Sequence, residues 1–278
     1  MLPLALSTGN LMRPTRRAVA LSLLIVLIAS ASGRSTQAAD WKVNHWFGPV
    51  EVRSEMPFDS RLTAAINELP TLKADLQNRL GVPMPDRPVE VNLFASRASY
   101  AEHLSYRIPG GATRAALYVT GTDRDRVYAM NTKNVAIDVR HECTHAFLHT
   151  GLQFVPLWLD EGLAEYFEVP ADQRATGNPH LRRLRPAGLA RFRGPRVRIN
   201  LERLEGIQDL GDMGQDEYCE AWAWTHYLLH GPEPVRQVLR DYLGEIADYG
   251  HPGLLRPKLV AIVEDPERAL RDHIAQIR

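Results

Sequence analysis

The period of the hydrophobic positions changes along this chain. Val50-Glu51-Val52-Arg53 and Val89-Glu90-Val91-Asn92-Leu93-Phe94 alternate with a period of two and predict strands. Between them, Leu62 to Leu80 follows helical spacing, interrupted or bent at Pro70 and ended by Gly81. A further helix is expected around Ser99 to Tyr106. Ala115–Val119 and Arg126–Met130 flank Gly121-Thr122-Asp123-Arg124 and predict a hairpin. From Val135 the pattern turns helical. Val135, Ile137 and Val139 lead in, Ala146, Phe147, Leu148 and Leu152 come after, and Gly151 marks a stop. Pro156 is placed to open the next helix, which a short link folds back on the first. Asp216–Leu229, Val235–Ile246 and Pro266–Ile277 read as amphipathic helices. Strands succeeded by helices predict an α+β fold. Its N-terminal lobe, about residues 40–152, would hold a small mixed sheet and a buried helix; its C-terminal lobe, about 153–278, would be helical.

That buried helix carries the chemistry. It contains His141-Glu142-Cys143-Thr144-His145, and Trp158-Leu159-Asp160-Glu161-Gly162 opens the next helix. Residues i and i+4 share a helical face, so His141 and His145 can present their imidazoles to one ion. Glu142, one residue after the first His, stands where a base could take a proton from an activated water. Glu161 is the candidate third ligand. His149 continues the same face but lies two turns from His141, too far to share an ion with both, and is expected to be packed or hydrogen-bonded. Glu165 and Glu168 come at i+4 and i+7 from Glu161, where a carboxylate could orient a ligand imidazole through its other ring nitrogen. Asp160 is a weaker candidate, since a neighbour of Glu161 in sequence should point elsewhere.

Fifteen residues separate His145 from Glu161, which is the gluzincin spacing; the Gly and later His of the metzincin pattern are absent. The run Trp158–Glu168 resembles the second zinc helix of M1-type aminopeptidases. Arg140–Pro170 is more closely similar to the exported peptidase MA-like gluzincins, often labelled only as a domain of unknown function. The resemblance implies a zincin-like fold over roughly 88–230, Zn²⁺ on His141, His145 and Glu161, and Glu142 as general base. By analogy with M1 enzymes it also implies Tyr218 as donor to the oxyanion, with His226 two turns later on the same helix. Core packing is the plainer alternative for Tyr218, and more so for Trp222, Trp224 and Tyr227. In gluzincins an edge strand beside the zinc helix pairs with extended substrate, a place the 115–130 hairpin could fill. Tyr128-Ala129-Met130-Asn131 lacks the amine-binding glutamate of the M1 Gly-x-Met-Glu-Asn motif, so aminopeptidase specificity is not carried over.

The beginning of the chain bears on location. Arg13, Arg16 and Arg17 precede an apolar stretch from Ala18 to Ala29, and Ala29-Ser30-Ala31 suits a cleavage site. Residues 1–39 are therefore expected to hold a signal peptide and short linker, giving a periplasmic or secreted protein. An uncleaved N-terminal anchor is the alternative; stable membrane insertion beyond this segment is not expected. The 33 basic and 33 acidic residues of the whole chain include four arginines and no acid in residues 1–39. Residues 40–278 are thus mildly acidic, which gives no support to nucleic-acid binding.

Two cysteines, Cys143 and Cys219, could form a disulfide or remain buried thiols. The stretch Arg174–Arg198 carries eight arginines. It reads as a solvated loop pairing with acidic neighbours, or as a lid or patch for an anionic partner. The expected activity is zinc-dependent hydrolysis of a peptide or protein substrate. The alternatives are a zinc-containing peptide- or cell-wall-binding module without catalysis, or hydrolysis of a non-peptide amide or ester.

Overall fold

The computed structural model describes residues 40–105, 107–185 and 197–277. The expected leader and Arg191, Arg193 and Arg196 lie outside these residues.

The described residues open on a strand that the alternation does not reveal. β1 (Val43–Phe47) is antiparallel to β2 (Val50–Ser54) across a turn at Gly48, whose φ of 59° suits glycine. β1 is hidden in the pattern because it is mostly exposed and carries polar residues on both faces. α1 (Ser60–Leu80) is capped by the Asp59 side chain on the Leu62 amide and ends at Gly81 in the left-handed region. It runs without interruption through Pro70, whose missing donor is tolerated inside a helix that buries eight side chains. Next come β3 (Val89–Phe94), α2 (Arg97–Ser105), β4 (Ala116–Val119) and β5 (Asp125–Met130). The five strands form one mixed sheet of order β1-β2-β3-β5-β4, with β3 parallel to β2 and β5, and β4 antiparallel to β5 at the edge.

Val50, Val52, Val89, Val91, Ala116, Tyr118, Val127 and Ala129 turn one face of this sheet to the main core, shared with α1 and α3 (Val135–Gly151). Phe94, Leu117 and Tyr128 point the other way and form a small cluster with Tyr100 and Leu104 of α2. α3 ends at Gly151 for a reason of space rather than of dihedral angle: a Cβ there would lie 2.3 Å from the Pro83 carbonyl oxygen. Pro156 then caps α4 (Leu157–Phe167).

The remainder is helical: α5 (Leu181–Leu184), α6 (Leu201–Glu205), α7 (Gln215–His230), α8 (Glu233–Tyr249), α9 (Leu255–Val260) and α10 (Pro266–Gln276). The architecture is thus α+β, with an N-terminal five-stranded mixed sheet and a C-terminal helical region. Trp222, Trp224 and Tyr227 of α7 are buried in the core. α4 and α7 approach closely at Gly162, where a Cβ would meet Thr225 Oγ1 at 2.4 Å and the Ala221 carbonyl at 2.6 Å. This glycine lets the helix that carries Glu161 lie against the helix that carries Tyr218. Among the described residues no helix is long and apolar enough to cross a membrane.

Candidate metal centre

α3 lies against the sheet on one side and α4 on the other, so its motif is enclosed. His141, Glu142, His145 and Glu161 are each at most 3 % exposed. His141 Nε2 stands 3.5 Å from Glu161 Oε2, and His145 Nε2 stands 3.9 Å from the same oxygen. The ligand atoms of these three residues lie within 4.8 Å of one another. A tetrahedral ion with bonds of about 2.05 Å needs its donors about 3.3 Å apart, so small adjustments would close the set on one cation.

Hydrogen bonding gives an independent test of fit. His141 Nε2, His145 Nε2 and Glu161 Oε2 are all buried without a hydrogen-bond partner in the protein. Buried polar atoms are ordinarily satisfied. Three that converge, and that are the usual donor types for zinc, fit a divalent ion. The opposite ring nitrogens are bonded: His141 Nδ1 to Glu168 Oε2 at 3.1 Å and His145 Nδ1 to Asp160 Oδ1 at 2.9 Å. With each Nδ1 engaged by a carboxylate, each Nε2 is turned toward the ion position, the arrangement that fixes tautomer and ring orientation at metal sites.

Asp160 corrects the expectation that it would point elsewhere. Its second oxygen accepts from His149 Nε2 at 3.0 Å, and His149 is therefore a hydrogen-bonded histidine. Adjacent helical residues diverge by about 100°, yet both carboxylates of the pair reach α3, because the burial of α4 on several sides leaves neither in solvent. Glu168, just past the end of α4, serves His141. Glu165 bonds His180 Nε2 at 2.7 Å instead of a ligand ring, although its oxygen lies within 4.8 Å of His141 and Glu168. The Tyr118 ring of β4 stacks near His145 and His149, with centroids at 6.4 and 5.8 Å.

The acids dominate the local electrostatics. Burial lowers the proton affinity of His141, but the nearby carboxylate of Glu161, the hydrogen bond to Glu168 and the charge of Glu142 outweigh it and hold it well above the ordinary value. His145 is also raised, against burial, chiefly by Asp160 and Glu161. Burial raises Glu161 above the usual carboxylate range despite His145 and His141. Glu168 is pushed up to about 7 by burial and by Glu165.

Tyr218, in the first turn of α7, is buried with its hydroxyl unpartnered in the protein. Burial, then the charges of Glu161 and Glu165, holds its proton affinity far above the ordinary value, so it is a hydrogen-bond donor at neutral pH. Tyr218 thus lies within the electrostatic reach of Glu161 and Glu142. His226 instead bonds His273 Nε2 and the Ala175 carbonyl, both at 2.8 Å, in a separate cluster. β4 is an edge strand and packs against α3, whereas Tyr128-Ala129-Met130 lies on β5, an interior strand. Cys143 and Cys219 are free buried thiols, so no disulfide joins them. In the arginine-rich stretch, Arg174 pairs with Glu68 and Asp75, and Arg183 with Asp216.

Three groups near the site, Arg114, Tyr100 and His180, are not recognised from the sequence. Arg114 precedes β4 and lies in the field of Tyr218, Glu142, Glu161 and Tyr100. Tyr100 of α2 reaches toward Glu142 and Arg114. For Arg114 the alternation of Ala116 and Tyr118 gives no signal, because Arg114 stands in a bend before β4. For Tyr100 and His180 there is none, since tertiary packing alone delivers them.

A family model described as a protein of unknown function (DUF1570) matches residues 134–248, the stretch that contains α3, α4, α7 and nearly all of α8. No curated protein matches the chain.

Proposed function

We propose that this protein is an exported zinc-dependent metallohydrolase of the gluzincin type, acting as a peptidase. The observation that carries the reading is the convergence of His141 Nε2, His145 Nε2 and Glu161 Oε2, each buried and unpartnered, with Glu168 and Asp160 behind the two rings. Export rests on the apolar segment after Arg17. Two imidazoles and a carboxylate are a donor set that zinc favours, and zinc when bound supplies Lewis-acid polarisation of a carbonyl and acidifies water.

The chain's own residues do the rest. Glu142, next to His141 on α3, takes a proton from the attacking water as its oxygen bonds to the carbonyl carbon. The same proton passes to the amide nitrogen as the C–N bond breaks, leaving a carboxylic acid and an amine. Tyr218 donates to the oxygen that gains negative charge, and its high proton affinity keeps the phenol protonated for that task. Glu168 and Asp160 hold the rings in register. β4, an edge strand against α3, offers its backbone to an extended peptide.

The near-complete burial of these groups also fits a second reading, in which the metal serves structure in a non-catalytic binding module. One experiment separates them. The purified protein is incubated with a proteome-derived peptide library with and without chelator, and metal content is measured in parallel. Wild type should hold one zinc per chain and cleave peptides. Glu142→Gln should keep the zinc and lose turnover by at least about 10²-fold, and His145→Ala should lose both. Tyr218→Phe should keep zinc and cut turnover sharply. Bound zinc without cleavage of any peptide would favour the second reading.

A further inference from the structure

Arg114 is a cation placed among the acids of the metal centre, and the fold makes no visible use of its charge. The arginines buried among the described residues are paired: Arg140 with Glu68 at 2.8 Å, and Arg174 with Glu68 and Asp75 at 2.8 and 2.7 Å, whereas Arg114 is half-buried. Such pairing is the rule, because an isolated buried charge is costly. For the Arg114 side chain no ion pair or hydrogen bond is seen among the described residues, and its Nη1 is buried without a partner.

Its position follows from the strand it precedes. Along β4, Tyr118 and Ala116 face α3 and the main core, while Leu117 faces the α2 cluster. Arg114 stands just before β4, in the bend that leads from the turn at Gly111–Thr113 into the strand packed on α3. The charges near it agree: burial weakens its protonated form most, while the carboxylates of Glu142 and Glu161 favour it. Two of its neighbours repeat the same oddity. The hydroxyls of Tyr218 and Tyr100 are also buried donors without acceptors. Three donors of this kind near Glu142 call for a shared acceptor.

We propose that Arg114 is the anion-binding group of this site, donating with Tyr218 to the substrate oxygen that becomes an oxyanion when water adds to the carbonyl. This rests on the hydrolytic reading above. The placement favours the reacting oxygen over a distant carboxylate of the substrate, since the groups whose fields Arg114 shares are those that flank the scissile bond, Glu142 and Glu161. A fixed cation there acts on developing charge, where preorganised donors have their largest effect.

The test uses the full zinc-loaded chain, with Arg114→Met and Arg114→Lys. Inorganic phosphate, a tetrahedral oxyanion, is the probe in titration calorimetry. Bound zinc, melting temperature and cleavage of the peptide library are measured alongside. Arg114→Met should keep one zinc per chain and melt no lower than wild type. It should bind phosphate at least about 10-fold more weakly and lose turnover about 10²- to 10³-fold, with KM changed little. Arg114→Lys, which keeps the charge but not the planar fork, should recover part of both losses. Equal phosphate affinity in wild type and Arg114→Met overturns the proposal, as does a wild type that binds no phosphate. An effect confined to KM, seen with peptides bearing a free C-terminal carboxylate and absent with amidated ones, overturns it as well. If wild type cleaves no peptide while phosphate binding still depends on Arg114, the peptidase reading fails and the anion site stands.

Discussion

His141, His145 and His149 on α3, and His226, His230 and His273 on α7 and α10, are two sets of three largely enclosed imidazoles with opposite electrostatics. Around the first set stand Asp160, Glu161 and Glu168, and the proton affinities of His141 and His145 are raised against the pull of burial. Around the second stand neutral partners. His226 and His273 bond each other, His226 bonds a carbonyl, and Tyr166 bonds His230 at 2.7 Å. Burial and neighbouring positive charge lower His230 and His273 to about 4, and burial also lowers His226. Buried histidines are therefore not in themselves a metal site. What distinguishes α3 is a carboxylate on one nitrogen of each candidate ligand ring and an unpartnered nitrogen on the other.

The sharpest way to break this comparison is to delete rings from each set. His141→Ala or His145→Ala should abolish stoichiometric metal binding, measured by elemental analysis of the purified protein, whereas His230→Ala and His273→Ala should leave it at wild-type level. Metal loss in the second pair of variants would remove the distinction. Next in size is the contribution of the outer carboxylates. Asp160→Asn and Glu168→Gln keep the volume but weaken the hold on each Nδ1, and competition with a chelator should show metal affinity lower by about 10- to 100-fold. An unchanged affinity would mean that packing alone orients the rings.

Acid should act through the second set. Its three imidazoles have lower proton affinity folded than unfolded, where the value is near 6.5, so the unfolded chain binds more protons. Their contribution is complete above about pH 6.5 and is lost as pH falls through that value toward 4. Melting curves of wild type and His273→Gln across that range should converge as pH falls, because the variant lacks one of the groups that must be charged. A constant difference would reject the assignment. The smallest effect is expected from Tyr166→Phe, which removes the hydroxyl partner of His230 and should cost about 1 kcal/mol, a shift of a few degrees in Tm.

Much of the fold and of the site is legible in the linear pattern. The spacing of His141, Glu142, His145 and Glu161 places four side chains on two short helical faces without reference to the rest of the chain, because helical geometry is local. The 89–94 strand and the 115–130 hairpin announce themselves by alternation for the same reason. β1 does not, since an exposed edge strand has no hydrophobic face to display. Pro70 suggests a break that the packed face of α1 overrides. The argument against Asp160, that neighbours on a helix diverge, holds for a surface helix and fails for α4, enclosed on several sides.

The chain's order of residues determined the candidate donor set, the glutamate beside it and the helices that carry them, since all depend on contacts within a few turns. Tertiary structure alone decided which carboxylate serves which ring, that Tyr218 and Arg114 lie in the field of Glu142 while His226 bonds elsewhere, and that Cys143 and Cys219 stay unpaired. Those outcomes depend on how α4 and α7 meet at Gly162 and how β4 lies along α3. Such long-range packing is a property of the whole core and leaves no local period in the sequence.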